Sequence, residues 1–119
     1  MRNVELQERT KKFALRVIKM VGALPRNMTA NVLGRQTLRS GTSAAANYRE
    51  ACRARTKDEM ISKLAQVEQE LDETLLWSEL LVESHLVPAP RMSELLQATE
   101  ELPRIVVASI KTLKSRPTS

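Results

Sequence analysis

Residues at alternating spacings of four and three, most of them apolar, recur through this chain in long segments separated by proline. In the first segment the series is Leu6, Thr10, Phe13, Val17, Met20 and Leu24. This spacing places the series on one face of an α-helix, as in helical bundles and coiled coils. Segments of this kind must bury their apolar faces against one another, so the pattern predicts an all-α fold.

Prolines and one capping motif divide the chain into four segments of helical length. Pro25 ends the first segment, and Pro88 and Pro90 flank a connection after the third. Thr56-Lys57-Asp58-Glu59 has the spacing of a capping box, which begins a helix. Short connections favour an antiparallel up-down-up-down four-helix bundle. The predicted helices span about 3–24, 29–54, 56–86 and 91–115, in a single domain 1–119 with a frayed tail at 116–119.

The second segment has an unusually narrow apolar face. Its predicted series is Leu38, Gly41, Ala45, Tyr48 and Cys52, within a run of small residues. Small side chains let a neighbouring helix approach closely, which is the interpretation we favour. A phosphate-binding loop does not fit, because the glycine spacing is wrong and no lysine follows Gly41.

The third and fourth segments carry ordinary apolar series. Pro103 lies inside the fourth segment, where it removes a backbone donor and predicts a kink or a restart of the helix. The series are Met60, Leu64, Val67, Leu71, Leu75 and Leu81 in the third segment, and Leu95, Leu102, Val106 and Leu113 in the fourth.

Composition excludes several classes of function. The 119 residues include one Phe, one Tyr and one Trp, too few for a platform that stacks nucleic-acid bases. A single cysteine and a single histidine make a disulfide framework or a structural zinc site untenable. Cys52 and His85 could formally pair as a catalytic dyad. The simpler interpretation is that Cys52 is a small hydrophobic residue and His85 a cation near a helix end.

No apolar run is long enough for a signal peptide core or a membrane span. We therefore expect a cytoplasmic protein with no membrane partner. No cluster of acids, histidine or serine predicts a catalytic site, a metal site, a cofactor or a small-molecule substrate. We expect a non-enzyme.

The formal charge of +5 is distributed unevenly along the chain. Residues 1–55 carry a net charge of +9, whereas residues 56–119 carry −4. The third segment alone has eight acidic residues. A basic half and an acidic half are compatible with nucleic-acid binding and equally with assembly through opposite charges.

Basic residues form lines along the first two predicted helices. Two interpretations remain open: contacts with the phosphate backbone of nucleic acid, or pairing with acids of the third helix, within one protomer or across subunits. The acids considered for such pairing are Glu68, Asp72, Glu79 and Glu83. The candidate phosphate contacts are Arg35, Arg39, Arg49 and Arg53 on the second segment and Arg55 directly after it, with Arg9, Lys12, Arg16 and Lys19 on the first.

The second segment also resembles a known family. The stretch 33–64 is similar to the bacterial 23S rRNA-intervening-sequence proteins, also called the four-helix-bundle protein family. The matching motif residues are Gln36, Arg39, Ser43, Asn47 and Glu50, in that order. Similar flanking residues extend the resemblance over nearly the whole chain, whereas Pro103 departs from the usual unbroken fourth helix.

The resemblance implies a four-helix bundle that assembles into a ring-like pentamer, and it makes an RNA partner more plausible. Bundles with a similar fold serve as basic, nucleic-acid-binding subunits of diversity-generating retroelements. For Ser43, Asn47 and Glu50 we favour a structural role in fixing helix register, with a place at the subunit interface as the alternative. The expected partners are therefore further copies of the chain and RNA or DNA.

Overall fold

Four α-helices make up the computed structural model, which describes residues 3–117. No strand occurs in that range. Consecutive helices pack against each other, and the first and fourth helices also touch. The predicted all-α four-helix bundle is therefore confirmed. The helices are α1 (Asn3–Gly22), α2 (Met28–Cys52), α3 (Lys57–Glu83) and α4 (Ala89–Ser115).

Side-chain caps explain where α2 and α3 begin. Asn27 Oδ1 accepts a hydrogen bond from the Ala30 N–H at 2.8 Å. Thr56 Oγ1 accepts one from the Glu59 N–H at 3.1 Å, as the capping box predicts. Each cap satisfies an amide that has no partner within its helix.

Prolines shape α4 differently from the prediction. The helix begins at Ala89 rather than near 91, because Pro90 in the first turn lacks only a donor that would be unpaired there anyway. The helix continues through Pro103, so it does not restart at that residue. In the predicted tail, Arg116 and Pro117 follow the end of α4. Thr118 and Ser119 lie outside the described residues.

The core is built from the predicted faces of α1, α3 and α4. Its largest buried side chains include leucines from α3 and α4 together with Tyr48 of α2. On α1, Leu6, Phe13 and Val17 are buried. Burying aliphatic side chains in this way is the main stabilising contribution to such a fold.

On α2 two members of the predicted series, Gly41 and Tyr48, are buried, whereas the other three lie one residue away from the buried face. The expected residues Leu38, Ala45 and Cys52 are only half-buried. Replacing them by Thr37, Ala44 and Ala51 keeps the same alternation of four and three, so spacing along the helix does not decide between the two series. The buried residues are Ala30, Gly34, Thr37, Ser40, Gly41, Ala44, Tyr48 and Ala51.

Polar residues also enter the core of α3. Thr74 and Ser78 are fully buried, whereas the predicted Leu75 is half-buried. The Thr74 hydroxyl lies 2.7 Å from the hydroxyl of Ser40 on α2. It also donates to the Glu70 carbonyl. The small hydroxyls of Ser40 and Thr74 fit where α2 and α3 are close, and their hydrogen bonds offset the cost of burying them. The Ser78 hydroxyl, in contrast, is buried without a hydrogen-bond partner among the described residues.

Candidate nucleic-acid interface

Three of the nine predicted phosphate-binding residues form ion pairs within the chain. Arg9 pairs with Glu101 at 3.2 Å and Arg16 pairs with Glu94, both on α4. Arg39 pairs with Glu70 at 3.3 Å and with Glu73, both on α3. The hydrogen bond to Glu73 is the main cause that raises the pKa of Arg39 above its ordinary value. The three arginine side chains are 39–49% exposed, so these pairs orient the arginines while adding little stability.

The four acids that were considered as partners of the basic lines do not pair with them among the described residues. Glu68, Asp72, Glu79 and Glu83 form no ion pair with any residue in the range 3–117. Arg9 and Arg16 of α1 pair instead with acids of α4, because α4 packs against α1 and α3 does not. Pairing of these four acids within one protomer is therefore not found in the part of the chain that the structure describes, and pairing across subunits stays a prediction.

The other six predicted residues are exposed and make no ion pair with a described residue. Their charges are therefore available to an external partner. These residues are Lys12, Lys19, Arg35, Arg49, Arg53 and Arg55.

Two of these arginines line a cleft between α1 and α2. Arg49 from α2 and Arg53, directly after the end of α2, meet Lys11 from α1 around a cleft of about 490 Å³. Ala14 and Ala45 are among the small residues that line it. Because these side chains are short, the helices leave an open groove between the longer cationic side chains.

A second cleft lies between the end of α1 and the beginning of α2. Arg26 and Arg35 line this cleft of about 380 Å³, together with Leu24, Gly34 and Leu38. Both clefts follow the same contact between the two helices. We call their five cations the α1–α2 cationic face: Lys11, Arg26, Arg35, Arg49 and Arg53.

The four predicted basic residues of α1 do not share one surface in the structure. Arg9 and Arg16 face α4, and Lys19 lines a separate cleft with Arg16 and Arg91. Lys12 is exposed but lines neither cleft of the cationic face. The residue of α1 that does join Arg49 and Arg53 is Lys11.

Sequence analysis had missed Lys11 and Arg26. Lys11 lies outside the three-and-four series that we followed along α1. The signal that would have identified it is Ala14, three residues further on and thus on the same helix side. A small residue at this position marks where α1 contacts α2. Arg26 lies in the connection between the helices, where helical spacing gives no guidance.

The motif residues Ser43, Asn47 and Glu50 have local roles in the chain. Asn47 Nδ2 donates to the Ser43 carbonyl at 3.0 Å, one turn earlier on the same helix. Glu50 is exposed and pairs with Lys63 of α3 at 2.8 Å. Of these three residues, only Glu50 connects α2 to α3 by an ion pair among the described residues. A place for these residues at a subunit interface stays a prediction.

None of the three aromatic residues lies on the cationic face. Phe13 and Tyr48 are buried, and Trp77 is half-buried on α3. Burial is the main cause that raises the pKa of Tyr48, and a hydrogen bond with Cys52 adds to it. The indole Nε1 of Trp77 is buried without a hydrogen-bond partner in the described chain. Base stacking is therefore not available on the cationic face.

The remaining chemical groups of the described residues are dispersed. His85 follows the end of α3, whereas Cys52 lies two residues from Glu50, the partner of Lys63 near the beginning of α3. The 20 residues from Lys63 to Glu83 span about 30 Å, so Cys52 and His85 cannot act as a pair. Residues 3–117 contain no cluster of three or more potential metal ligands. No helix in that range is long and apolar enough to cross a membrane.

Comparisons with known proteins agree with this architecture. The family model described as 23S rRNA-intervening sequence protein matches residues 2–108. A crystal structure of a protein of unknown function from the S23 ribosomal protein family of Bacteroides thetaiotaomicron is similar to the chain, with a TM-score of 0.86 and 29% sequence identity. The match covers 93% of this chain and 99% of that one. No functionally curated protein shows significant similarity to the chain.

Proposed function

Because the chain belongs to the 23S rRNA-intervening sequence protein family, we propose that it is a non-enzymatic, oligomeric bundle that binds the backbone of RNA or DNA. Binding takes place on the α1–α2 cationic face. The observation that carries this proposal is that Arg35, Arg49 and Arg53 are exposed and have no acidic partner in the described chain. Planar guanidinium groups bind phosphate oxygens well, and the counterions released on binding make affinity depend on salt.

A charge-reversal experiment tests this proposal. The double variant Arg49→Glu/Arg53→Glu places two carboxylates in the cleft beside Lys11, and we expect it to lose nucleic-acid binding at least tenfold. The matched control is Lys111→Glu/Lys114→Glu on α4, which changes the net charge equally at two exposed residues. Fluorescence anisotropy with labelled RNA and DNA at low salt measures both variants. Absence of binding by the unmodified protein, or equal loss in the control, contradicts the proposal.

A second candidate is a protein-interaction scaffold, whose basic helices pair with acidic α3 of another subunit. Glu68, Asp72, Glu79 and Glu83 favour it, because they have no ion pair within the described chain. In that case Arg49→Glu/Arg53→Glu separates the subunits, and the mass measured by sedimentation equilibrium falls to that of a monomer. A stable oligomer after charge reversal contradicts the scaffold.

We also propose that the helices of the bundle run up-down-up-down. Lys63, early in α3, pairs with Glu50, late in α2. Further along α3, Thr74 contacts Ser40, which is earlier in α2. Residue numbers therefore increase in opposite directions along the two helices, which supports an antiparallel arrangement.

Exposed apolar residues support the oligomeric part of the proposal. Met28 and Val32 of α2 are 82% and 55% exposed, and Leu76 and Leu80 of α3 are 47% and 39% exposed. Ser40 of α2 lies opposite Thr74 of α3. Two turns earlier in α2 and two turns later in α3, Val32 is level with the turn that contains Leu80. We call these four residues the α2–α3 apolar patch. Patches of this kind are typical of protein interfaces, and the family resemblance implies a pentamer.

A further inference from the structure

We propose that the α1–α2 cationic face takes a nucleic-acid duplex, held by both phosphate backbones, in preference to a single strand. This inference rests on the proposed function and names the form of nucleic acid that the same face binds. It is drawn from the positions of the cations and from the absence of exposed aromatic rings beside them.

Binding to single strands usually depends on stacking between bases and aromatic side chains. Phe13 and Tyr48 are buried in the core, and Trp77 lies on α3, away from both clefts of the cationic face. Affinity must then come from charge. A duplex carries one negative charge per about 1.7 Å of its axis, against one per about 3.4 Å for each strand. A face that binds by charge alone therefore favours the duplex.

The five cations form two groups, and the interval of α2 between them carries no unpaired charge among the described residues. Lys11, Arg49 and Arg53 line one cleft, and Arg26 and Arg35 line the other. Arg35 and Arg49 are 14 residues apart on α2, which is about 21 Å along a helix axis.

The outward-facing residues of α2 within this interval are small or already engaged. Thr42 and Ala46 carry no charge, and Arg39 pairs with Glu70 and Glu73 on α3. A single strand lying along the helix would cross this interval of about 21 Å without meeting a free cation of the face.

In a duplex, one phosphate backbone runs along each side of a groove. These two rows of negative charge match the two separate groups of cations. The major groove of B-form DNA is about 12 Å wide, and a row of phosphates borders each side. Arginine and lysine side chains are long enough to reach inward from two groups 21 Å apart. The short side chains of Thr42 and Ala46 keep the middle of the face free of bulk, so that the duplex can approach α2.

The experiment compares one sequence in two forms. A labelled 20-nucleotide strand without self-complementarity is titrated with the full-length protein, alone and annealed to its complement, as RNA and as DNA, over a series of salt concentrations. We expect at least tenfold tighter binding of the duplex at equal salt. With up to five phosphate contacts, the slope of log K against log salt should be about −4.5 for the duplex and about −3.5 for a single strand.

Neutralising each group separately tests the two-row arrangement. Arg49→Gln/Arg53→Gln removes cations from one group and Arg26→Gln/Arg35→Gln from the other, with Lys111→Gln/Lys114→Gln as the control. Each of the first two variants should weaken duplex binding and reduce the salt slope by about two, whereas the control should match the unmodified protein.

Each outcome has a distinct meaning. Equal or tighter binding of the single strand overturns the duplex inference but leaves nucleic-acid binding intact, and so does a duplex affinity that depends on one group alone. No binding of any form at low salt overturns the proposed function itself. A difference between duplex RNA and duplex DNA identifies which groove width the two groups fit.

Discussion

Two glycines of α2, Gly34 and Gly41, are in close contact with side chains that differ in how easily they can move. A Cβ at Gly41 would lie 2.9 Å from one methyl group of Val17 and 3.1 Å from the other. A Cβ at Gly34 would meet the tip of Leu24 at 2.9 Å and Val21 at 3.3 Å. Val17 is fully buried and β-branched, whereas Leu24 is half-buried and can change rotamer. The same substitution should therefore have different effects at the two residues.

We predict that Gly41→Ala destabilises the protein and that Gly34→Ala does not. Alanine favours a helix over glycine by about 1 kcal/mol, and overpacking a rigid core costs about 1–3 kcal/mol. The cost should exceed the gain at Gly41, and the gain should equal or exceed the cost at Gly34. Urea unfolding followed by circular dichroism measures both variants. A Gly41→Ala variant as stable as Gly34→Ala would contradict the close packing of α1 and α2 at Val17.

The phenol of Tyr48 provides a second prediction at the residue scale. Burial raises its pKa in the folded protein above the usual value of about 10, so the unfolded chain loses this proton first as pH rises. Stability should be unaffected by this group below pH 10 and should fall progressively above it.

Because Tyr48 is the only tyrosine, absorbance at 295 nm follows its ionisation directly. We expect tyrosinate to form only as the protein unfolds, with far-UV circular dichroism changing over the same pH range. Tyr48→Phe is the control for the stability measurement, since it removes the phenol and its share of the decline above pH 10. Tyrosinate forming near pH 10 in the folded protein would show that the hydroxyl is accessible to water.

At the scale of the helices, capping residues determine where α2 and α3 begin. Thr56 caps α3 through its hydroxyl, and Glu59 Oε2 accepts a hydrogen bond from the Arg55 N–H at 3.4 Å. The other end of α3 is closed by His85, which has a positive φ of 64°. This conformation lets the Leu86 N–H reach the Leu81 carbonyl at 3.0 Å.

We predict that Thr56→Ala lowers the free energy of unfolding by about 1 kcal/mol, because the Glu59 N–H loses its partner. The control is Thr112→Ala on α4. Thr112 is also exposed, but its hydroxyl bonds to the Ala108 carbonyl of its own helix, which needs no cap. Its replacement should change stability by less than about 0.5 kcal/mol. Equal effects of the two substitutions in denaturant unfolding would contradict a capping role for Thr56.

At the scale of the whole molecule, the two proposed binding surfaces share α2 but extend onto different neighbouring helices. The cationic face follows the contact with α1, and the apolar patch combines exposed residues of α2 and α3. A bundle with this arrangement can assemble through one surface and bind nucleic acid through the other. Salt should weaken nucleic-acid binding far more than assembly, because only the first depends chiefly on charge.

We predict that Val32→Glu and Leu80→Glu, each alone, reduce the oligomer to a monomer in sedimentation equilibrium. A carboxylate in a buried apolar contact loses its hydration without gaining a partner. Leu15→Glu is the control, because Leu15 is also exposed, at 56%, but belongs to α1 and lies outside the patch. A monomeric unmodified protein would contradict the oligomeric proposal. If Leu15→Glu dissociates the oligomer instead, the interface lies on the side of α1.

The sequence by itself determined the number of helices, their approximate limits and the buried face of α1. These features depend on spacing along one helix, on prolines and on caps such as Thr56, all of which act within a few residues. The same reasoning failed on α2, where Thr37 and Ala44 are buried and Leu38 is only half-buried. Burial there depends on how closely the neighbouring helices approach, and residue hydrophobicity does not report that distance.

Only the tertiary structure decided which basic residues are available for binding. Arg39 and Arg49 follow the same line of α2, yet Arg39 pairs with two glutamates of α3 and Arg49 pairs with none in the described chain. On α1, Lys11 joins the cationic face because it lies beside α2, whereas Arg16 turns to Glu94 of α4. Net charge is a property of composition. Whether a charged side chain is available to a partner depends on the residues that it contacts on neighbouring helices. Only the fold establishes those contacts.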